Sequence, residues 1–197
     1  MPSVFVVSDT HFGHTGVCRF LRNDGTKLRP WDNAEEMDEA MVKAWNETVK
    51  PTDKVYHLGD VVINRKALSI MHRLNGDKIL IKGNHDIFKP QDYAPHFRDV
   101  RAYQVMTGAG VILSHMPVHP NCLYRFGLNI HGHLHANRVT YADPLDGLEE
   151  KLDTRYYCVS VEHTDFRPIL FEEVLKRSRA EGGEPGLKGP ATTWPAD

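Results

Sequence analysis

Short apolar runs separated by polar stretches set the rhythm of this chain. Val4–Val7, Val55–Leu58, Ile79–Ile81, Val111–Leu113 and Leu128–Ile130 are rich in β-branched side chains and bounded by polar residues or glycine, which is the pattern of buried strands. Between the first two runs the period changes. Asn33 stands where a helix cap would, Glu36 follows three residues on, and Met37, Ala40, Met41, Ala44 and Trp45 recur at helical spacing before Pro51. That predicts a helix opened by a capping-box-like pattern. A second helix is expected over 65–74, with Leu68, Met71 and Leu74 inward and Gly76 at its end. Residues 87–98 read as one short helix, 100–106 and 156–162 as further strands, and 171–180 as a terminal helix. The first half alternates strand and helix and the second is mostly strands. The expected class is α/β (α+β): two sheets packed face to face with helices outside. Residues 1–181 read as a single domain, followed over 182–197 by a flexible tail in which Gly and Pro recur without apolar period.

Composition narrows the classes. The 197 residues are 41% hydrophobic and 25% charged with a formal net charge of −2, as in an ordinary globular domain and unlike a strongly basic nucleic-acid binder. No apolar run approaches a membrane span. Met1-Pro2-Ser3 leads straight into a strand, so no secretory signal is expected and a cytoplasmic location is the default reading. Cys18, Cys122 and Cys158 are widely spaced and form no C-x-x-C pair, which predicts reduced thiols and argues against a cysteine zinc site. No heptad pattern speaks to oligomeric state.

What changes the picture is how the five apolar runs end. Each leads into a polar motif: Asp9-Thr10-His11, Gly59-Asp60, Gly83-Asn84-His85-Asp86, Ser114-His115 and Gly132-His133-Leu134-His135. Open α/β sheets gather their chemistry at the carboxyl ends of strands. Asp9 and His11 at i, i+2 on an extended strand end would point to one side and reach one cation, and His133 with His135 would do the same. Asp60 has two carboxylate oxygens and can bridge two cations. Asn84 offers a neutral amide oxygen, while adjacent His85 would point elsewhere, as an acid or a transition-state hydrogen-bond donor. Singly, each motif is a common turn or a buried histidine. In series they define one site for two metal ions, and so a hydrolase of phosphate esters.

These blocks resemble the calcineurin-like metallophosphoesterase family, whose pattern is D-x-H, G-D, G-N-H-[DE], H, then G-H-x-H. The resemblance spans residues 4–162, and Val159-Ser160-Val161-Glu162 is similar to the closing strand of small bacterial and phage members. It implies a four-layer αββα sandwich of two mixed sheets with a dinuclear site. By resemblance, Asp9, His11 and His135 would bind the first metal, and Asn84, His115 and His133 the second. Asp60 would bridge them, and His85 would stand free beside the leaving group. The mixed oxygen and imidazole donors suit manganese first, with iron, zinc, cobalt or nickel as alternatives, over magnesium or calcium. One departure matters. The serine/threonine phosphatase branch continues its second block as G-D-x-x-D-R-G, whereas here Ile63 stands at the second Asp. That argues against a protein phosphatase and leaves His85 without an assigned orienting carboxylate.

Two such metals would give hydroxide from a shared water near neutral pH and hold the phosphoryl oxygens. A protonated His85 would assist the leaving oxygen. The loop-rich insertion at 13–32 follows the first motif, which makes His14, Arg19, Arg22 and Arg29 rim candidates for substrate phosphate, together with Asn84, Tyr124 and Arg125. Trp31 and Trp45 read as core, His57 and His131 as packing or supporting residues, and His119 as a loop residue. The expected substrate is a small phosphate ester, nucleotide-like, with a phosphodiester favoured over a phosphomonoester. A nuclease on polymeric nucleic acid fits the charge less well, and a non-catalytic scaffold would be expected to lack ligands that are all present here.

Overall fold

The computed structural model describes residues 2–142 and 149–186. Of the tail expected from Gly182, residues 182–186 continue from the last helix through a glycine cap in which Gly183 N–H donates to Ser178 O at 2.8 Å; residues 187–197 lie outside the described part.

Among the described residues, eleven strands and three α-helices follow in chain order: β1 (Val4–Val7), α1 (Ala34–Thr48), β2 (Lys54–His57), β3 (Asp77–Ile81), α2 (Pro90–Tyr93), β4 (Asp99–Arg101), β5 (Tyr103–Met106), β6 (Val111–Ser114), β7 (Leu128–His131), β8 (Thr140–Ala142), β9 (Glu150–Leu152), β10 (Tyr156–Cys158), β11 (Ile169–Leu170) and α3 (Phe171–Ala180). The first sheet has the order β11-β1-β2-β3-β4, parallel except for β11. The second has the order β10-β7-β6-β5, parallel except for β5. Strands β8 and β9 make a separate antiparallel pair. The architecture is the expected sandwich of two mixed sheets.

The parallel strands are buried on both faces, so their apolar runs feed two cores. Val6, Leu58, Ile79 and Ile81 meet Val111, Leu113, Leu128, Ile130 and Val159 between the sheets. On the outer face of the first sheet, Phe5, Val7, Val55 and Leu80 pack against Met37, Met41 and Trp45 of α1. Each such side chain contributes about 1.5–3 kcal/mol on burial. Asn33 Oδ1 accepts from Glu36 N–H at 2.8 Å, the predicted cap of α1, and Trp45 is buried with Nε1 donating to Asn75 O at 2.9 Å. Trp31 packs on the core's edge, its ring 4.7 Å from that of Phe166. The outer face of the second sheet, with Ile112 and Tyr156, is covered by Leu123 of the 3-10 segment Pro120–Arg125.

Three local expectations are corrected. The helix expected over 65–74 is a 3-10 helix, Arg65–Arg73. The inward residues Leu68, Met71 and Leu74 recur every third position, which is the 3-10 period and not the α period. The strand expected over 100–106 is two strands that belong to different sheets: Val100 pairs with Leu80 in the first and Val105 with Ile112 in the second. The strand expected over 156–162 leaves its sheet after Cys158 and ends in a 3-10 turn, Val161–His163. It does so because Val159 O and Val161 N–H bond the backbone of Ser8 instead, each at 3.1 Å, joining the second sheet to the end of β1. No helix among the described residues is long and apolar enough to cross a membrane.

Candidate metal centre

The polar motifs do not sit on extended strand ends; the chain turns immediately after each strand. Asp9, His11, Asp60, His133 and His135 all have positive φ, between 48° and 69°. They are five of the seven non-glycine residues among the described ones to do so, and a left-handed residue without glycine costs about 1–3 kcal/mol unless its surroundings impose it. The same-side geometry expected from i, i+2 spacing on a strand is therefore replaced by paired left-handed turns. Backbone bonds fasten these turns together. Asp9 N–H donates to Gly59 O and His11 N–H to Asp60 O, both at 3.0 Å. Gly59 has φ 96°, and a Cβ there would stand 2.6 Å from Gly83 N, so the G-D and G-N-H-D turns approach as closely as they do only because glycine is present. Asp86 completes the fastening, its carboxylate accepting from the backbone N–H groups of Asp60, Val61 and Gly83 at 2.8, 3.1 and 2.8 Å.

Two ligand sets result. Asp9, His11 and His135 place one donor atom each within 4.8 Å of one another, and so do Asp60, His115 and His133. Asn84 Oδ1 joins the second set, 2.8 Å from His115 Nε2 and 3.0 Å from His133 Nδ1. Asp60 lies between the sets, its Oδ2 3.6 Å from His11 Nε2 and 3.4 Å from His115 Nε2.

The free atoms point inward. Asp9 Oδ2 accepts from His133 N–H at 2.9 Å and from the Ser160 hydroxyl at 2.8 Å, whereas its Oδ1 is buried without a partner. Both ring nitrogens of buried His11 lack partners. Burial, then the charge of Arg29, push the His11 pKa well below its ordinary value, so the ring keeps its lone pair. His115 Nδ1 lies 2.8 Å from Leu58 O, a pure acceptor, so Nδ1 carries the hydrogen and Nε2 faces the oxygens of Asn84 and Asp60. Only positive charge makes such a convergence of acceptors stable. Burial disfavours charge on His115, but the Asp60 hydrogen bond and the charges of Asp9 and Asp60 outweigh it and raise its pKa. Burial likewise opposes charge on Asp60, and His115, the His85 N–H and His11 outweigh it and hold the carboxyl below its usual range. Imidazole, carboxylate and amide donors converging in this way fit divalent transition metals.

His85 stands apart from both sets. Its backbone N–H donates to Asp60 Oδ1 at 2.8 Å, while its exposed ring lies 5.4 Å from that of His11. Among the described residues no carboxylate accepts a hydrogen bond from that ring. His14 stands beside it on the insertion, its ring 5.6 Å from that of His11 and its Nδ1 buried without a partner.

Other expected contacts fall elsewhere. Arg29 is fully buried rather than at the rim. Arg19 is exposed, and only Arg22 of the insertion's arginines lines the cavity beside the ligands. Tyr124 lines a separate cavity with Arg155 and Glu184, and Arg125 lies over the Tyr124 ring at 5.3 Å. His57 and His131 are wholly buried, with burial holding their pKa values down at about 3 and about 4. His57 accepts from Gly59 N–H at Nδ1, 3.2 Å, and meets the Thr10 hydroxyl at Nε2, 2.9 Å, so it supports two of the turns. His119 caps the 3-10 segment by accepting from Asn121 N–H at 3.2 Å.

Three residues stand behind the ligands, two of them (Asp86 and Glu162) with no role assigned from the sequence and the third, Arg29, expected at the rim. Asp86 was visible only as the last letter of a motif. Glu162 Oε1 lies 3.1 Å from His135 Nδ1, and Arg29 Nε donates to the same oxygen at 2.9 Å. An arginine in an insertion of otherwise exposed polar residues carries no signal that it will be buried.

Two cavities include ligand residues in their walls. One, of about 570 Å³, is lined by His133 and His135 with Phe20, Leu21, Arg22 and Asn137. The other, of about 540 Å³, is lined by Asn84 and Asp86 with Lys82, Ile87 and Arg101.

A two-sheet sandwich whose strand ends converge on paired His, Asp and Asn ligand sets defines the metal-binding phosphoesterase class. The calcineurin-like phosphoesterase family matches residues 2–163, and the chain belongs to that family. It is 31% identical over 180 residues to an uncharacterized protein of Methanocaldococcus jannaschii, a match covering 89% of this chain and 91% of that one. It is 29% identical over 121 residues to the Gene 66 protein of Mycobacterium phage L5, covering 59% of this chain and 52% of that protein. Among solved structures, a protein of unknown function from Aquifex aeolicus superposes with a TM-score of 0.65 at 26% identity, covering 90% of this chain and 100% of that one.

Proposed function

We propose that this protein is a phosphodiesterase with two divalent metal ions, manganese first among them, acting on a small nucleotide-like ester. The observation that carries this reading is Asp60, whose carboxylate lies between a His11 ring and a His115 ring that belong to separate ligand sets. A single anion so placed offsets the repulsion of two cations roughly 3.5–4 Å apart. Asp9, His11 and His135 would hold the first ion, and Asn84, His115 and His133 the second. When bound, the pair supplies a nucleophilic water at neutral pH and neutralises phosphoryl charge.

The chain's own residues do the rest. His85, free of both sets and exposed, would donate a hydrogen bond or proton to the departing oxygen. His14, beside His11, would contact the phosphoryl group. The two cavities that ligand residues help to line support a diester over a monoester, because a diester carries two substituents on phosphorus and each needs room. Phe20 and Leu21, 50% and 64% exposed, offer one substituent an apolar wall, and Lys82 and Arg101 offer the other a basic one.

The test is hydrolysis by metal-stripped protein with manganese added back. Bis(p-nitrophenyl) phosphate and p-nitrophenyl phosphate are the paired substrates. Restored hydrolysis with the diester faster is expected. Faster monoester hydrolysis would make it a phosphomonoesterase, and full metal binding with neither substrate cleaved would count against hydrolysis.

A further inference from the structure

Behind the first ligand set lies an ion pair with no exposure at all. The side chains of Arg29 and Glu162 are each 0% exposed, and Arg29 Nη2 lies 2.8 Å from Glu162 Oε1. Burying two charges costs several kcal/mol per ion before their attraction offsets it, so a pair in this position needs further hydrogen bonds. Arg29 places its remaining donors on two backbone carbonyls and a thioether: Nη1 on Thr10 O at 2.8 Å and Met37 Sδ at 3.3 Å, and Nη2 on Asp9 O at 2.5 Å. Glu162 uses the oxygen that faces Arg29 on the His135 ring as well, at Nδ1. Thus one pair touches both chain segments that supply the first set, Asp9 to His11 and His135. The second set is supported differently, by Leu58 O on His115 and by Asp86 on the turns of Asp60 and Gly83.

We propose that the Arg29–Glu162 pair is a positioning device for the first metal site. Glu162 accepts a hydrogen bond from His135 Nδ1 and so would turn Nε2 to the ion, while Arg29 holds the carbonyls of left-handed Asp9 and of Thr10, next to His11, in place. This rests on the two-metal reading above. A carboxylate behind a ligating imidazole fixes its tautomer and orientation, and removing such a partner typically weakens metal binding roughly 10–100-fold. The pair therefore sets the affinity of one metal and not of the other.

The experiment is a manganese titration of metal-stripped wild type, Glu162→Asp and Arg29→Lys by calorimetry, repeated with cobalt to read its ligand-field absorption. Glu162→Asp keeps the charge that Arg29 needs but withdraws it from His135. Arg29→Lys keeps a charge for Glu162 but cannot reach both carbonyls. Two equivalents are expected in the wild type. In Glu162→Asp one equivalent should weaken roughly 10–100-fold with the other within about threefold, and half of the cobalt absorption should appear only at high cobalt. Arg29→Lys should weaken the same equivalent. Equal weakening of both equivalents, or of neither, overturns the proposal while leaving the two-metal reading intact. Fewer than two equivalents in the wild type overturns both. Should the variants fail to fold, ¹⁵N shifts of the histidine rings in zinc-loaded wild type decide the matter. A His135 ring protonated at Nδ1 and metal-bound at Nε2 supports the device, and the reverse assignment overturns it.

Discussion

Replacing His85 by alanine separates turnover from metal binding and from folding. The ring is exposed and hydrogen-bonds no carboxylate among the described residues, so its removal should change stability by no more than about 0.5 kcal/mol. The contact that His85 does make with the centre, 2.8 Å from its N–H to Asp60 Oδ1, belongs to the backbone and survives the substitution. Bound metal should therefore stay at the wild-type level. What is lost is a donor near the departing oxygen, typically about 10²–10⁴-fold in rate, which is a barrier increase of about 2.7–5.5 kcal/mol. The loss should depend on the leaving group. p-Nitrophenolate departs without help, so the variant should be only mildly impaired on the activated diester and strongly impaired on a nucleoside alkyl diester. The assay is kcat on both substrates at saturating manganese, beside elemental analysis of the purified variant. Equal losses on the two substrates, unimpaired turnover of the alkyl diester, or departure of the metal with the side chain would each refute the reasoning.

Asp60→Ala removes the carboxylate shared by both sets, so bound metal and activity should fall together; elemental analysis after gel filtration checks this, and retention of two equivalents would contradict the bridging role. Gly132→Ala would put a methyl 2.6 Å from Ser8 Cβ, against Asp9, and should cost about 1–3 kcal/mol in urea unfolding along with metal affinity. His57 protonates near 6.5 in the unfolded chain but only at about 3 in the fold, so stability is lost as pH falls from 6.5 toward 3. Each pKa unit is worth about 1.4 kcal/mol, so the wild type should lose about 2 kcal/mol more than His57→Gln between roughly pH 7.5 and pH 5. Parallel stability curves for the two proteins would show that His57 titrates normally.

The ligand types and their order were legible because each follows a strand run that has no alternative reading, and because His, Asp and Asn tolerate the turns they occupy. The turns themselves were not legible. Left-handed backbone at Asp9 and His11 is held by partners as distant in sequence as Gly59 and Asp60, and pattern within a short window cannot report it. The split of 100–106 between two sheets was hidden for a similar reason. Val100 and Val105 carry the same strand signal, and only pairing with Leu80 or Ile112 separates them. The 3-10 helix at Arg65–Arg73, by contrast, was written in the three-residue spacing of Leu68, Met71 and Leu74. Arg29 misled because charge at a rim and charge in a core look alike in a sequence.

Both ligand sets draw on both sheets and are completed by the same short turn, Gly132 to His135. Asp9, His11, Asp60, Asn84 and His115 are all synthesised before either set can close, and the two sets then close within three residues of each other. If both sets hold ions, a growing chain would pass almost at once from no finished site to two. On the two-metal reading, metal acquisition would follow the docking of the second sheet on the first, and a fragment ending before that turn would lack β10 and β11 as well as any complete set for an ion.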